Sequence, residues 1–138
     1  MAWTSPPVIG IDVLDADHQA IIARVCDMEA ALDAGGSGGA IRQAFTEMMS
    51  AIEGHIAREE NYLDKLASSD GVAHRRRHRQ FHNFMIGTLR HAFTELTKDL
   101  EAERTRAMFR AVLERIIEEL FTSDEEMIEM FRKEGLTG

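Results

Sequence analysis

The sequence predicts an all-α fold, and three observations carry that expectation. The two prolines, Pro6 and Pro7, both fall near the N-terminus, and runs of β-branched residues are few. Over long stretches apolar residues recur in alternating steps of three and four, the period of a helix with one buried face. Clusters of glycine, serine and aspartate separate those stretches. A chain of 138 residues can build one domain with a real core but not two, so residues 1–138 read as a single unit.

Residues 1–14 read as an irregular arm, because Pro6, Pro7 and Gly10 oppose early helix. The bundle proper is expected over residues 15–134. Asp15 or Asp17 can cap the first helix, whose inward stripe is His18, Ile21 or Ile22, Val25, Met28 and Leu32. Gly35-Gly36-Ser37-Gly38-Gly39 ends it as a flexible connection. The second helix is expected over 40–67, with the stripe Ile41, Phe45, Met48, Ile52, His55, Glu59, Leu63 and Leu66. His55 and Glu59 therefore lie on its apolar seam. Ser68-Ser69-Asp70-Gly71 forms the next turn.

The third helix starts near Val72 and runs into the nineties, with His74, His78, Phe81, Met85 and Leu89 on its seam. The break after it is ill-defined, because Thr97 to Thr105 is polar without glycine or proline. The fourth helix spans about 103–133 and stops before Gly135. Its seam takes in Phe109, Val112, Ile116, Leu120, Asp124, Met127 and Phe131. Glu119, seven residues after Val112, is expected to point inward as well.

Composition narrows the function classes. A formal net charge of −8 argues against nucleic acid as the main partner. No apolar stretch approaches the ~20 residues of a membrane span. Met1-Ala2-Trp3-Thr4 has no basic region followed by an apolar run, so no signal peptide is visible. Cys26, the single cysteine, cannot form an internal disulfide, which fits a reducing cytoplasm. Cys26 and the eight methionines read as packing residues. Arg75, Arg76, Arg77 and Arg79 read as a solvated helix face, with docking of an acidic partner as the alternative. His91 and Tyr62 have no assignable partner.

Chemistry concentrates in seven residues: His18, His55, Glu59, His74, His78, Glu119 and Asp124. Residues four apart on a helix project from one face, one turn apart, and can grip one metal or two adjacent ones. A lone inward histidine is usually a core residue with a satisfied hydrogen bond. Four histidines and three carboxylates converging from four helices are another matter, since burying them without partners would cost several kcal/mol each. A metal removes that cost. Mixed imidazole and carboxylate donors suit iron, with manganese and zinc as competitors. Four-helix bundles build dinuclear iron centres from such helix-borne pairs.

These residues also carry a family resemblance. Trp3, Gly10-Ile11, Asp15 and Asp17-His18 resemble the N-terminal arm and first ligand of the hemerythrins, specifically the single-domain bacteriohemerythrins. His55-Ile56-Ala57-Arg58-Glu59-Glu60 is similar to that family's H-F-x-x-E-E segment. His74-Arg75-Arg76-Arg77-His78 with Phe81 is similar to its H-x-x-x-H-x-x-F segment. The resemblance covers nearly the whole chain. It implies an up-down-up-down antiparallel four-helix bundle holding two iron ions with an oxo or hydroxo bridge, where O2 binds reversibly. It further implies that Glu59 and Asp124 bridge the irons, that His18 and His55 hold the iron with the open position, and that His74 and His78 hold the filled one.

One position departs from the family. Its last motif, H-x-x-x-x-D, reads Glu119-Leu120-Phe121-Thr122-Ser123-Asp124 here. The favoured reading is that Glu119 ligates in the histidine's place. In the competing readings it turns aside and leaves a water or an open position, or the site binds metal poorly. His82 could supply the missing imidazole, but the neighbouring match places it too far along the helix. An ionised Glu119 in the donor set would cancel the one net positive charge of a diferrous, hydroxide-bridged site. Added negative charge and a harder donor favour the ferric state, hence a lower reduction potential and faster autoxidation.

Three functions compete, the third being the binding of another metal with iron chemistry absent. The first is a non-enzymatic O2-binding protein for storage, delivery or sensing, expected to be monomeric and cytoplasmic, with a reductant or signalling protein as a further partner. The alternative is a di-iron oxidase, peroxidase or ferroxidase that consumes O2 or peroxide. Glu119 favours the alternative, since it moves the donors towards carboxylate-rich centres.

Overall fold

The computed structural model describes residues 6, 8–35 and 37–136. Four helices run in order: α1 (Asp12–Asp33), α2 (Gly38–Leu63), α3 (Ser69–Thr97) and α4 (Glu103–Lys133). The described residues contain no strand. Connections of a few residues force each helix to return beside the one before it, which makes an up-down-up-down bundle. The closest pairings are α1 with α2 and α3 with α4. Trp3 lies outside the described residues.

Local chemistry sets the helix ends. Helix α1 begins at Asp12, earlier than expected, with Ile11 as its N-cap and no side-chain cap. Asp15 instead reaches backwards, accepting from the backbone N–H of Ile9 at 2.8 Å and of Gly10 at 3.1 Å. Asp17 caps nothing and is buried for another purpose. Ser37 caps α2 by accepting from Ala40 N at 3.2 Å, and Ser68 caps α3 by accepting from Gly71 N at 2.9 Å. Helix α2 stops at Leu63, short of the expected 67, and α3 starts at Ser69 rather than Val72.

At the other end of α4, Gly135 takes φ +70° and Leu136 N donates to Phe131 O at 2.9 Å, which closes the last turn in a left-handed cap. Glu134 folds back onto the α2–α3 turn. Its carboxylate accepts from Ala67 N at 2.8 Å, Ser68 N at 3.1 Å and Ser68 Oγ at 2.7 Å. A Cβ on Gly71 would sit 2.0 Å from Glu134 Oε2, so this close approach suits glycine.

Packing divides into two apolar cores. The larger includes Ile21, Val25, Met28, Met48, Ile52, Met85, Leu89, Leu113 and Ile117. The smaller joins Ile9, Leu14, Leu63, Leu66, Met127, Ile128 and Phe131 at the end where the N-terminal arm, the α2–α3 turn and the end of α4 meet. Along α1, α2 and α4 the buried polar residues, His18, His55 with Glu59, and Asp124, fall between residues of the two cores. Methionines 28, 48, 49, 85 and 127 are buried as expected, whereas Met108 is exposed. Cys26 is exposed and not a packing residue, which corrects the sequence expectation. Arg75 and Arg79 are tied to the α2–α3 turn, Arg75 donating to Leu66 O at 3.1 Å and Arg79 pairing with Asp64.

Candidate metal centre

One layer of the bundle brings polar side chains from all four helices to a point. His18 comes from α1, His55 and Glu59 from α2, His78 and His82 from α3, and Asp124 from α4; all are buried. They form two overlapping groups whose donor atoms lie within 4.8 Å of one another, each able to hold a metal ion. One group is His18, His55, Glu59 and Asp124. The other is Glu59, His78, His82 and Asp124.

The two carboxylates belong to both groups, one oxygen facing each. Asp124 Oδ2 accepts from His18 Nε2 at 2.6 Å and from His55 Nε2 at 2.9 Å, while Oδ1 lies 3.2 Å from His78 Nε2. Glu59 Oε2 lies 2.9 Å from His55 Nε2, while Oε1 lies 2.6 Å from His78 Nε2 and 3.1 Å from His82 Nε2.

Several of these contacts are short without being hydrogen bonds. Glu59 Oε2, His78 Nε2 and Asp124 Oδ1 are fully buried with no partner in hydrogen-bonding geometry. Buried polar atoms are seldom left so, because each costs about 1–3 kcal/mol. They crowd together with the other donor atoms, within 4.8 Å of one another, without pairing in hydrogen-bonding geometry. That arrangement fits a cation among them, and the donor set fits it chemically.

Electrostatics describe the cluster without its cation. Burial would lower the His55 pKa, but hydrogen bonds and charge from Asp124 and Glu59 overcome it and push it up to about 10. Burial likewise opposes, and the same carboxylates win, at His78, which rises to about 9. Burial would raise Glu59, yet His55, His78 and His82 hold it well below the usual range. His55 and His78 thus stand as imidazolium groups beside these carboxylates. His74 goes the other way: burial first, then the charges of His78 and Arg77, lower it to about 4.

Outer contacts hold the donors in place. His55 Nδ1 donates to Asp17 Oδ2 at 3.1 Å, and Arg58 grips Asp17 from Nε at 2.9 Å and Nη2 at 2.6 Å. Burial would raise the Asp17 pKa, but Arg58 and His55 lower it, so the carboxylate stays charged. Carboxylate–histidine pairs of this kind fix which ring nitrogen is free to ligate.

Two residues named from the sequence stand outside both groups. His74 is buried, but its Nε2 lies 3.1 Å from His78 Nδ1 and not among the converging donors. Glu119 does not point inward as expected. Its side chain is 43 % exposed and accepts from Arg115 Nε at 3.2 Å. It lines a cleft of about 300 Å³ with His74, His78, Phe81, Ser123 and Glu126. Conversely, the sequence argument set His82 aside, yet its side chain is 1 % exposed and stands in the second group. The signal was available: His74, His78 and His82 repeat every four residues, and Phe81, taken for the seam, is only half-buried.

Fold and site together define a helical-bundle protein whose buried His/Glu/Asp cluster can hold metal. The family model for the hemerythrin HHE cation binding domain matches residues 9–131, and the chain belongs to that family. No curated protein and no solved structure matches it significantly. Among the described residues no helix is long and apolar enough to cross a membrane.

Proposed function

We propose that this chain is a non-haem di-iron protein that binds O2 at a carboxylate-bridged centre, for storage, delivery or sensing. The observation that carries this reading is the sharing of Glu59 and Asp124 between two facing donor groups, one oxygen to each. Carboxylates placed so can hold two cations side by side, as in dinuclear sites generally. Imidazole mixed with carboxylate suits iron better than the all-oxygen sets of magnesium or calcium. A ferrous pair supplies the electrons that O2 binding requires.

The chain's own residues supply the rest. His18 and His55 anchor one side, and Phe121 walls it, its ring centroid 4.9 Å from that of His18. An apolar wall admits a small neutral molecule such as O2 and excludes ions and bulk water. Glu119 acts from the mouth of the cleft rather than as a donor. Its charge is half-exposed and balanced by Arg115, so its pull on the reduction potential is smaller than that of an ionised ligand. The cleft runs up to the buried His78, and water entering it would favour autoxidation.

A second reading, a di-iron oxidase, peroxidase or ferroxidase, is favoured by that same cleft. Glu119 and Glu126 line it together with Arg77, His74 and His78, a charged approach open to Fe²⁺, peroxide or a reductant.

Rapid-mixing absorption spectroscopy separates the readings. The protein is loaded anaerobically with two Fe²⁺ per chain and mixed with O2. A visible charge-transfer band that persists and disappears on removal of O2 supports the binding protein. A fleeting band that ends in a stable diferric spectrum supports oxidation chemistry. Absence of any diferric spectrum counts against a di-iron centre.

A further inference from the structure

We propose that the half-site facing α3 takes its imidazoles from His78 and His82, with His74 positioned behind His78 and Glu119 outside the donor set. The inference rests on the di-metal reading above and departs from the ligand assignment that the sequence motifs suggest. Its basis is a pattern repeated at three histidines. Each turns Nε2 into the cluster and has Nδ1 held from behind by another side chain.

His55 has Asp17 at 3.1 Å from its Nδ1. His78 has His74 Nε2 at 3.1 Å from its Nδ1. His82 has Glu60 Oε1 at 3.5 Å from its Nδ1, while its Nε2 lies 3.1 Å from Glu59 Oε1. A metal-ligating histidine characteristically gives its second N–H to such an outer partner, which fixes the tautomer and aims the lone pair. His82 has that signature. His74 does not, because its Nε2 is engaged by His78 and lies outside the converging donors. Adjacent carboxylates of α2 divide the tasks: Glu59 enters the cluster, and Glu60 supports the new ligand.

The two halves are then chemically alike. Each has two imidazoles and one oxygen from each shared carboxylate. Neither donor group would fill a metal's coordination sphere by itself, so both halves would leave positions open, in contrast to a site with one closed and one open iron.

Metal stoichiometry tests this directly. Wild type and the variants His82→Ala, His82→Asn, His74→Ala and Glu119→Gln are loaded anaerobically with Fe²⁺, dialysed and analysed for iron, with circular dichroism as the check on folding. We expect two irons in wild type, one in both His82 variants, and two in Glu119→Gln. His74→Ala should keep two irons, bound roughly 10–100-fold more weakly, as for loss of an outer partner. Two irons in the His82 variants together with one in Glu119→Gln or His74→Ala overturns the inference alone. Fewer than two irons in wild type overturns the di-metal reading and this inference with it. Should the His82 variants fail to fold, ¹⁵N-histidine NMR of wild type titrated with Zn²⁺ decides: Nε2 of His82 moves to a metal-bound shift and that of His74 does not. The reverse pattern overturns the proposal.

Discussion

Loading the protein with metal should expel protons, at least one from each of two histidines. His55 titrates at about 10 and His78 at about 9, so both are cationic at neutral pH. A metal needs the Nε2 lone pair of each, so each proton must leave. His74, held neutral by its pKa of about 4, contributes none. We expect at least two protons released per chain at neutral pH, one from each of these histidines. The apparent affinity should then climb about a hundredfold per pH unit through the neutral range and level off as pH approaches the two pKa values. Isothermal titration calorimetry with Zn²⁺, in buffers of different ionisation enthalpy, counts the protons. Release of less than one proton, or an affinity indifferent to pH between about 6.5 and 8.5, would refute the imidazolium–carboxylate description. The same shifts act on the metal-free fold. Raised histidine pKa values contribute stability that is present below the unfolded value of 6.5 and is lost as pH rises towards 9 and 10. The metal-free protein should therefore melt at lower temperature as pH rises through that window, and the loaded protein should not.

Three further perturbations test other parts of the structure. Burial, then the neighbouring Glu114, raises the pKa of Glu29, so its contribution favours the fold below 4.5 and is lost as pH rises. Glu29→Gln should raise the melting temperature at neutral pH and leave it unchanged near pH about 4; equal shifts at both would contradict the assignment. Arg58→Ala, which removes the clamp on Asp17 behind His55, should weaken metal binding by roughly 10–100-fold in chelator competition, and an unchanged affinity would mean the clamp is incidental. Leu63→Ala truncates a fully buried side chain of the smaller core and should cost about 2–5 kcal/mol in urea unfolding. A loss below about 1 kcal/mol would show that this end of the bundle can collapse around the gap.

Much of the fold was legible because a helix buried on one face repeats with a fixed period. The stripes of α2 and α4 and the turns at Ser37 and Ser68 follow from apolar spacing and side-chain capping. The centre was legible only in part. Glu119 was placed inward by its seven-residue step from Val112, but Val112 is itself only half-buried and lies on the flank of the stripe. From Asp124, Glu119 sits five residues back, about 140° around the helix at 100° per residue, whereas Leu120 and Ile117 fall within about 40°. Arg115, one turn away, is the nearer partner. The family motif ends at Phe81 and places His82 too far along the helix, while the four-residue repeat from His74 points to it. The pairing of Asp17 with Arg58 was beyond reach, since no local pattern shows that residues 17 and 58 meet across two helices.

The polar layer also partitions the molecule into regions of unequal resistance to opening. Seven apolar side chains hold the end beyond it, and they come from the arm, the first turn of α1, the end of α2 with the turn after it, and the last turns of α4, segments far apart in sequence. In the metal-free state this end can open as a separate cooperative unit while the larger core stays closed. A cation bridging the layer would clamp all four helices at the boundary. Occupancy would then be written into amide exchange at residues near 9, 66 and 131, none of which supplies a donor atom.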